Sequence, residues 1–150
     1  MEGIKLNDIV EIMNMIDWNM PVEIQAQGRE KAKKLHSVSP FLQPLTSKYN
    51  KNVWDNCAII ISDKSDQEIR PYLIDIMEWV QDMNWPGAFS IFDRILKYSD
   101  YNSIQNAFNV CIEKAKEIND DTWEINLKEL QDKYHHQRKY QSEDGSVIGN

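Results

Sequence analysis

The sequence predicts an all-α protein, and three observations lead to this class. Apolar residues recur three or four positions apart over most of the chain, which is the spacing of one helix face. Five glycines and five prolines among 150 residues leave few turn signals. The one Asp-Gly pair, at Asp144, lies in a polar C-terminal stretch and not between alternating apolar runs. We therefore expect helices and no sheet.

The first half of the chain is predicted to form a series of helices. The first and last of these carry apolar stripes at Ile9, Ile12, Met13 and Ile16, and at Ile69, Leu73, Ile76 and Val80. A second helix begins at Pro21, because proline suits the first helical position, although Gly28 weakens it by about 1 kcal/mol. The apolar run 53–61 is short enough for a strand, but its helical neighbours favour a buried helix.

One helix start in this half is ambiguous. Ser65 and Glu68 have the spacing of a capping box, in which each side chain bonds the other residue's backbone N–H. Pro71 follows inside the helix that this box would begin, and proline removes a backbone donor there. Either a separate turn precedes the helix, or the helix bends.

Three further helices are predicted in the second half from three consecutive stripes. These are Ala88, Ile91, Ile95 and Leu96; then Ile104, Phe108, Cys111, Ala115 and Ile118; then Trp123, Leu127, Leu130 and Tyr134. Ser99 and Asp100 precede the second stripe as capping residues. Asp121 and Glu124 have capping-box spacing before the third.

Size and composition indicate one globular domain at residues 1–137, with 138–150 as a flexible tail. The 41% hydrophobic and 27% charged residues are a usual globular balance. No apolar run approaches the roughly 20 residues of a membrane helix, and the acidic start lacks the features of a secretory signal. Two cysteines in apolar settings fit a reducing compartment. We expect a cytoplasmic protein.

The formal charge of −7 limits the classes of partner. Phosphate neutralisation needs a basic surface, so nucleic acid is not an expected partner. A basic protein is compatible with the same charge.

The stretch EWVQDMNWPGA, Glu78–Ala88, contains two tryptophans, a proline and a glycine, and is predicted to be a tight corner between two helices. Trp85 precedes a proline and so lies where a helix must stop, while Pro86 suits the first position of the next. Gly87 would allow that helix to approach a neighbour closely. The alternative is a recognition patch, in which Asp82 and Asn84 flank exposed aromatic edges.

The residues that could carry chemistry do not form a known motif. Glu78 and Asp82 share a helix face at i, i+4, but the Glu-x-x-His pairs of di-metal helical sites are missing. His135 and His136 lie among Lys133, Arg138 and Lys139, which is typical of a basic helix end that complements the macrodipole. A nucleophile at Cys57 or Cys111 has no local motif in support. We expect no catalytic residues, no metal and no cofactor.

Two motifs carry a family resemblance. WDNCA at Trp54–Ala58 and EWVQDMNWPGA at Glu78–Ala88 resemble a family of small bacterial all-helical proteins, a domain of unknown function, over residues 20–135. The resemblance implies a stack of antiparallel helical hairpins similar to HEAT repeats. The Trp-Pro pairs at 17–21 and 83–86 hint at the same repeat. It implies no catalytic residues.

The expected function is therefore a non-enzymatic protein-interaction domain. Small helical domains of this kind are similar to immunity or accessory proteins encoded near bacterial toxins, so a basic toxin is the candidate partner, with no nucleic acid or membrane. The candidate binding surface is Asp55, Asn56, Glu78, Asp82, Asn84 and Trp85. The alternative is a small enzyme or ligand-binding protein with its site near Trp79–Ala88.

Overall fold

The computed structural model describes residues 6–45 and 49–147, and in these residues it is all-helical with no strand, as predicted. The α-helices are α1 (Leu6–Met15), α2 (Val22–Lys33), α3 (Trp54–Ser62), α4 (Asp66–Ile69), α5 (Leu73–Met77), α6 (Ala88–Leu96), α7 (Tyr101–Glu117) and α8 (Asp121–Val147). Short 3-10 segments lie at Ser39–Phe41, Gln43–Leu45, Lys51–Val53, Arg70–Tyr72 and Glu78–Gln81. The predicted tail boundary at 137 falls within α8 and stays a prediction; residues 148–150 lie outside the described residues.

The predicted stripes form the core. Every residue of the predicted stripes within 9–16, 69–80, 104–118 and 123–134 is buried with one exception, Ile118, which is 56% exposed just after α7. In the α6 stripe, Leu96 is half-buried and the other three are buried. The run 53–61, for which a strand was the alternative, forms the buried helix α3.

The ambiguous start near Pro71 is a separate turn. Ser65 caps α4 in a complete capping box with Glu68, and α4 is a single turn. Pro71 lies in the 3-10 segment that separates α4 from α5, where its missing N–H interrupts no α-helical bond. The first of the two alternatives is therefore the correct one.

Four helices, α2, α3, α6 and α8, lie side by side and run in the same direction. Their contacts advance along both partners in the same direction. The pairs are Gln25 with Asn56 and then Leu35 with Lys64, Ala58 with Gly87 and then Lys64 with Arg94, and Phe92 with Lys133 and then Leu96 with Gln137. The starts of all four helices consequently lie at one end of the molecule.

The hairpin of α1 and α2 explains the glycine inside α2. The two helices are antiparallel, with Lys31 paired to Glu11 near one end and Gly28 against Ile16 near the other. A Cβ at Gly28 would lie 2.7 Å from Cγ2 of Ile16 and 2.8 Å from Cβ of Met15. Gly28 is therefore retained for close packing, although it lowers helix propensity.

The start of α8 differs by one residue from its predicted cap. The Oδ1 atom of Asp120, not Asp121, accepts the backbone N–H of Trp123 at 3.0 Å. Asn119 precedes it with a left-handed backbone, φ 58°, which turns the chain from α7 into α8. The carboxylate three residues before Trp123 is the one that reaches its N–H, so the cap is Asp120.

We expect Asp120→Ala to lower the free energy of unfolding by about 1 kcal/mol, the usual cost of losing a capping acceptor. Asp121→Ala is the matched control, because it removes a carboxylate from the same turn and loses only a macrodipole contribution of about 0.3–1 kcal/mol. Urea unfolding of both variants measures the difference. A larger loss at Asp121 than at Asp120 would contradict this assignment.

Candidate interaction surface

The stretch Glu78–Ala88 is a corner, as predicted. Trp79 has no exposed surface, and its Nε1 donates to the backbone oxygen of Pro86 at 2.9 Å. Pro86 is not the first residue of the next helix: α6 begins at Ala88, preceded by Gly87 with φ 87°. The hydrogen bond from the Trp79 indole to Pro86 and the left-handed backbone of Gly87 together reverse the chain direction within a few residues.

Gly87 brings α6 directly against α3. A Cβ at this position would lie 2.6 Å from Cβ of Ala58 and 2.9 Å from the backbone oxygen of Trp54. Trp54 packs edge-on against two other indoles, with ring centroids 6.1 Å from Trp79 and 5.3 Å from Trp85. Trp54 is buried and Trp85 half-buried, so the three indoles fill the space beside the contact and reach the surface at Trp85.

Asn56, a predicted surface residue, lies in the interior and is 3% exposed. Its Nδ2 donates to the backbone oxygen of Ile16 at 2.7 Å and to Oε1 of Gln25 at 2.9 Å. Its Oδ1 accepts from Nη1 of Arg29 at 2.7 Å. Asn56 therefore joins α3 to the α1–α2 hairpin, and its side chain is not available for contact at the surface, although its backbone lies at the start of α3.

Glu78 is also interior, with its side chain 8% exposed. Its Oε2 accepts from Nζ of Lys114 at 2.5 Å, and its Oε1 from Nε2 of Gln81 at 2.8 Å. The hydrogen bond to Glu78 raises the pKa of Lys114. Asp82 follows the 3-10 segment with extended backbone, φ −143°, so the shared helix face assumed for Glu78 and Asp82 does not form. Glu78 joins α7 to the corner.

The other four predicted residues reach solvent. Asp55 and Asn84 are exposed, while Asp82 and Trp85 are half-buried. The backbone N–H of Asn84 donates to Oδ1 of Asp82 at 2.8 Å, which shapes the loop before Trp85. Lys51 places its ammonium 5.9 Å from the Trp85 ring and 5.6 Å from the Trp54 ring. These residues lie together around the starts of α3 and α6.

The surface extends further than the sequence indicated. We define the helix-start face as the starts of α2, α3, α6 and α8 with the loops before them, residues 17–23, 50–56, 82–90 and 118–126. Of the nine large apolar side chains that are exposed among the described residues, six lie on this face: Trp18, Met20, Val22, Phe89, Ile118 and Ile125. Val22 and Phe89 are 74% and 70% exposed. Phe89 and Ile125 lie outside the buried stripes, and this off-stripe position is the signal that could have identified them.

The helix-start face is also acidic. It contains seven carboxylates, Asp17, Glu23, Asp55, Asp82, Asp120, Asp121 and Glu124, and a single cation, Lys51. Glu124 pairs with Lys128, whereas the other six make no ion pair with any residue in the described ranges. Carboxylates near helix N-termini are stabilised by the helix dipole, so the fold tolerates this concentration of charge.

Neither cysteine is prepared for nucleophilic chemistry. Both are buried as free thiols. Burial raises the pKa of Cys57, and burial together with the nearby Glu78 carboxylate raises the pKa of Cys111 to about 12. A thiolate nucleophile requires a lowered pKa, so the observed environment is that of two structural thiols.

The basic run at residues 133–139 is not a helix end. Helix α8 continues to Val147, so the prediction that these cations complement a helix C-terminus is wrong. His135 and His136 belong to this run and therefore lie in the middle of α8, not at its end. His135 instead packs against α7, with its Nε2 2.7 Å from Oε1 of Gln105 and its ring 5.7 Å from that of Tyr101.

A known family matches the central and C-terminal parts of this structure. The family, described as domain of unknown function DUF5071, matches residues 49–143. The chain belongs to this family. The DUF5071 match contains both motifs quoted above, and it begins just before α3 and ends within α8. No curated protein and no solved structure matches the chain. Within the described parts of this DUF5071 protein, no helix combines the length and apolar character required to cross a membrane.

Proposed function

We propose that this protein is a non-enzymatic protein-binding domain whose helix-start face binds a basic protein. The observation that carries the proposal is the coincidence, on one face, of six exposed large apolar side chains with six carboxylates that have no ion-pair partner among the described residues. Apolar patches that are rimmed by polar groups are typical of interaction sites.

The apolar residues supply the anchors of such an interface. Trp18, 45% exposed, and half-buried Trp85 are of the residue type most enriched among interface hot spots. The backbone N–H of Trp18 donates to the oxygen of Asn52 at 3.0 Å, which attaches its loop to the start of α3. Four helices packed about 8–10 Å apart give a face roughly 30 Å long. This length suits a standard interface of about 800 Å² per partner.

The carboxylates determine the chemistry of the partner. The six unpaired acids and Lys51 give the face an excess of negative charge, in a chain with a formal charge of −7. A basic partner would be steered towards the face at long range, and its Lys and Arg side chains would pair with these carboxylates on docking. A partner of the same sign would be repelled, which provides specificity.

The proposed architecture is a HEAT-like stack of helical hairpins. The parallel layer of α2, α3, α6 and α8, with α1 antiparallel to α2 and α7 antiparallel to α8, supports it. Such stacks bring one set of loops to one surface, as the helix-start face does here.

Within this proposal, the specific role is that of an immunity or accessory protein that binds a basic bacterial toxin. Two buried free thiols fit the reducing cytoplasm, where such a complex would form. The acidic face could then cover a cationic active site by electrostatic complementarity. In the alternative, an enzyme or ligand site near Trp79–Ala88, Trp79 and Ala88 would not contact a ligand because both are fully buried, and residues 82–87 between them, which reach solvent, belong to the helix-start face.

The test is affinity capture from a lysate of the source organism with two charge-matched variants. Asp55→Asn/Asp82→Asn/Asp121→Asn removes three carboxylates from the helix-start face. Asp93→Asn/Glu113→Gln/Asp132→Asn removes the same charge from exposed positions outside it. We expect the wild type and the second variant to retain a stoichiometric basic protein at low salt and to release it at moderate salt. The face variant should bind it at least about tenfold more weakly, since each charge pair contributes a fraction of a kcal/mol or more.

Two outcomes would overturn the proposal. One is that no basic protein is retained at either salt concentration. The other is that the two variants lose binding equally, which would attribute retention to total charge and not to the helix-start face.

A further inference from the structure

A polar cavity of about 350 Å³ lies at the other end of the helical layer, between the end of α6 and the middle of α8. Tyr98 and Tyr134, both buried, line it, and Lys97 and Arg138 are exposed at its wall. Its volume is at the lower end of the range for small-molecule sites. The cavity is separate from the helix-start face and does not depend on the function proposed for that face.

Side chains of α8 bond three of the backbone carbonyls beside the cavity. Gln137 Nε2 donates to the oxygen of Leu96, the last residue of α6, at 2.6 Å, Tyr134 Oη to Tyr98 O at 2.7 Å, and Arg138 Nη1 to Ser99 O at 3.3 Å. These bonds give Tyr134 and Gln137 a structural role.

The carboxylates beside the cavity are neutralised by other cations. Asp66 pairs with Arg94 at 2.6 Å and also accepts from the backbone and hydroxyl of Ser99. Asp100 pairs with Arg70 at 3.2 Å. Lys97 and Arg138, by contrast, form no ion pair within the part of the chain that the structure describes. Two unpaired positive charges therefore line one cavity in a protein whose net charge is −7.

Arg138 is also held in place by its surroundings. Its guanidinium lies 4.8 Å from the centre of the Tyr101 ring, donates to Ser99 O at 3.3 Å and also hydrogen-bonds Tyr134. A guanidinium has five N–H donors, so others remain for an oxyanion. Lys97 adds a mobile point charge, which is the usual second contact to a phosphate group.

We propose that this cavity binds a small phosphorylated molecule, with Arg138 and Lys97 holding the phosphate. Phosphate brings two negative charges to two cations, so it fits better than a single carboxylate. The cavity size restricts the ligand to a small metabolite.

The experiment uses inorganic phosphate as the probe, with the full chain, and follows backbone amide NMR shifts at constant ionic strength. We expect saturable shifts for residues 96–101 and 134–138. Lys97→Gln should weaken binding by about tenfold, since a charge-assisted contact is lost. Lys97 has no hydrogen bond of its own that would affect folding among the described contacts. Arg138→Lys should weaken binding less than Arg138→Gln. Lysine keeps the positive charge and loses only the paired N–H donors of the guanidinium, whereas glutamine loses both.

Lys116→Gln is the matched control, since it removes one exposed positive charge on α7 at the opposite end of the molecule. It should bind phosphate as the wild type does. The proposal is overturned if phosphate causes no saturable shift, if chloride at equal ionic strength produces the same shifts, or if Lys116→Gln weakens binding as much as Lys97→Gln.

Discussion

Replacing Gly87 by alanine is expected to lower the free energy of unfolding by roughly 2–5 kcal/mol. A left-handed backbone, here φ 87°, costs a residue with a Cβ about 1–2 kcal/mol. Overpacking adds about 1–3 kcal/mol, because the new Cβ would lie 2.6 Å from Cβ of Ala58 and 2.9 Å from the backbone oxygen of Trp54. Thermal unfolding should show a midpoint lowered by roughly 10 °C in a chain of this length.

Gly28→Ala is the matched control for this effect. Its Cβ would meet Ile16 and Met15 at similar distances, 2.7 and 2.8 Å, but Gly28 lies inside α2, where alanine gains about 1 kcal/mol of helix propensity. We therefore expect a net loss of about 1 kcal/mol. Equal losses at the two glycines would mean that the left-handed backbone of Gly87 is not required for the corner.

Replacing Arg94 by methionine is expected to cost about 2–3 kcal/mol, because a buried charged donor is lost while Asp66, 30% exposed, keeps some access to water. The side chain of Arg94 is 9% exposed, and its Nη2 reaches Asp66 at 2.6 Å and the backbone oxygen of Lys64 at 2.9 Å. Methionine fills much of the same space but leaves both acceptors without this donor. Urea unfolding measures the decrease in the free energy of unfolding. The bonds that are lost connect α6 to Lys64, just after α3, and to the start of α4.

Arg70→Met provides the comparison, because Arg70 also pairs with an aspartate, Asp100, at 3.2 Å. That pair is exposed, with side chains 62% and 37% accessible, so its loss should cost less than about 1 kcal/mol. A loss at Arg70 equal to that at Arg94 would contradict the importance of burial for the Arg94 pair.

The cost of Arg94→Met should also depend on pH. Burial acts to raise the pKa of Asp66, but hydrogen bonds from Ser99 and Arg94 outweigh it and lower the pKa below its ordinary value. A folded-state pKa below the unfolded value stabilises the fold above about pH 4, and this contribution is lost as the pH falls through the folded pKa. The difference between wild type and variant should therefore decrease in acid. An unchanged difference at low pH would contradict a charged Asp66.

Helical periodicity was sufficient to predict the buried faces of most helices. Ile104, Phe108, Cys111 and Ala115 are all buried where the stripe placed them, because a 17-residue helix presents a repeated signal. Ile118 departs from the stripe because α7 ends at Glu117 and the chain turns at Asn119, so the helical spacing no longer applies. The cap of α8 was displaced by one residue for a similar reason: two adjacent aspartates satisfy the pattern, and only the backbone selects Asp120.

The candidate surface was predicted in part. Asp55, Asp82, Asn84 and Trp85 reach solvent, but Asn56 and Glu78 do not, because their polar atoms are satisfied by partners distant in sequence. Residue type alone does not distinguish a polar side chain that binds a neighbouring helix from one that faces water. Trp18 and Val22 were missed because their proximity to α3 depends on the parallel packing of α2, which local patterns do not report.

The central claim is that binding takes place on the helix-start face, and backbone hydrogen exchange of the complex with the captured protein tests it most directly. The measurement compares exchange of each peptide of this chain, free and bound, by mass spectrometry. The predicted result is slower exchange on binding in residues 17–23, 50–56, 82–90 and 118–126, where loop and first-turn amides are not protected by helical hydrogen bonds. Protection confined to the ends of α2 and α6, or to the outer face of α7, would contradict it.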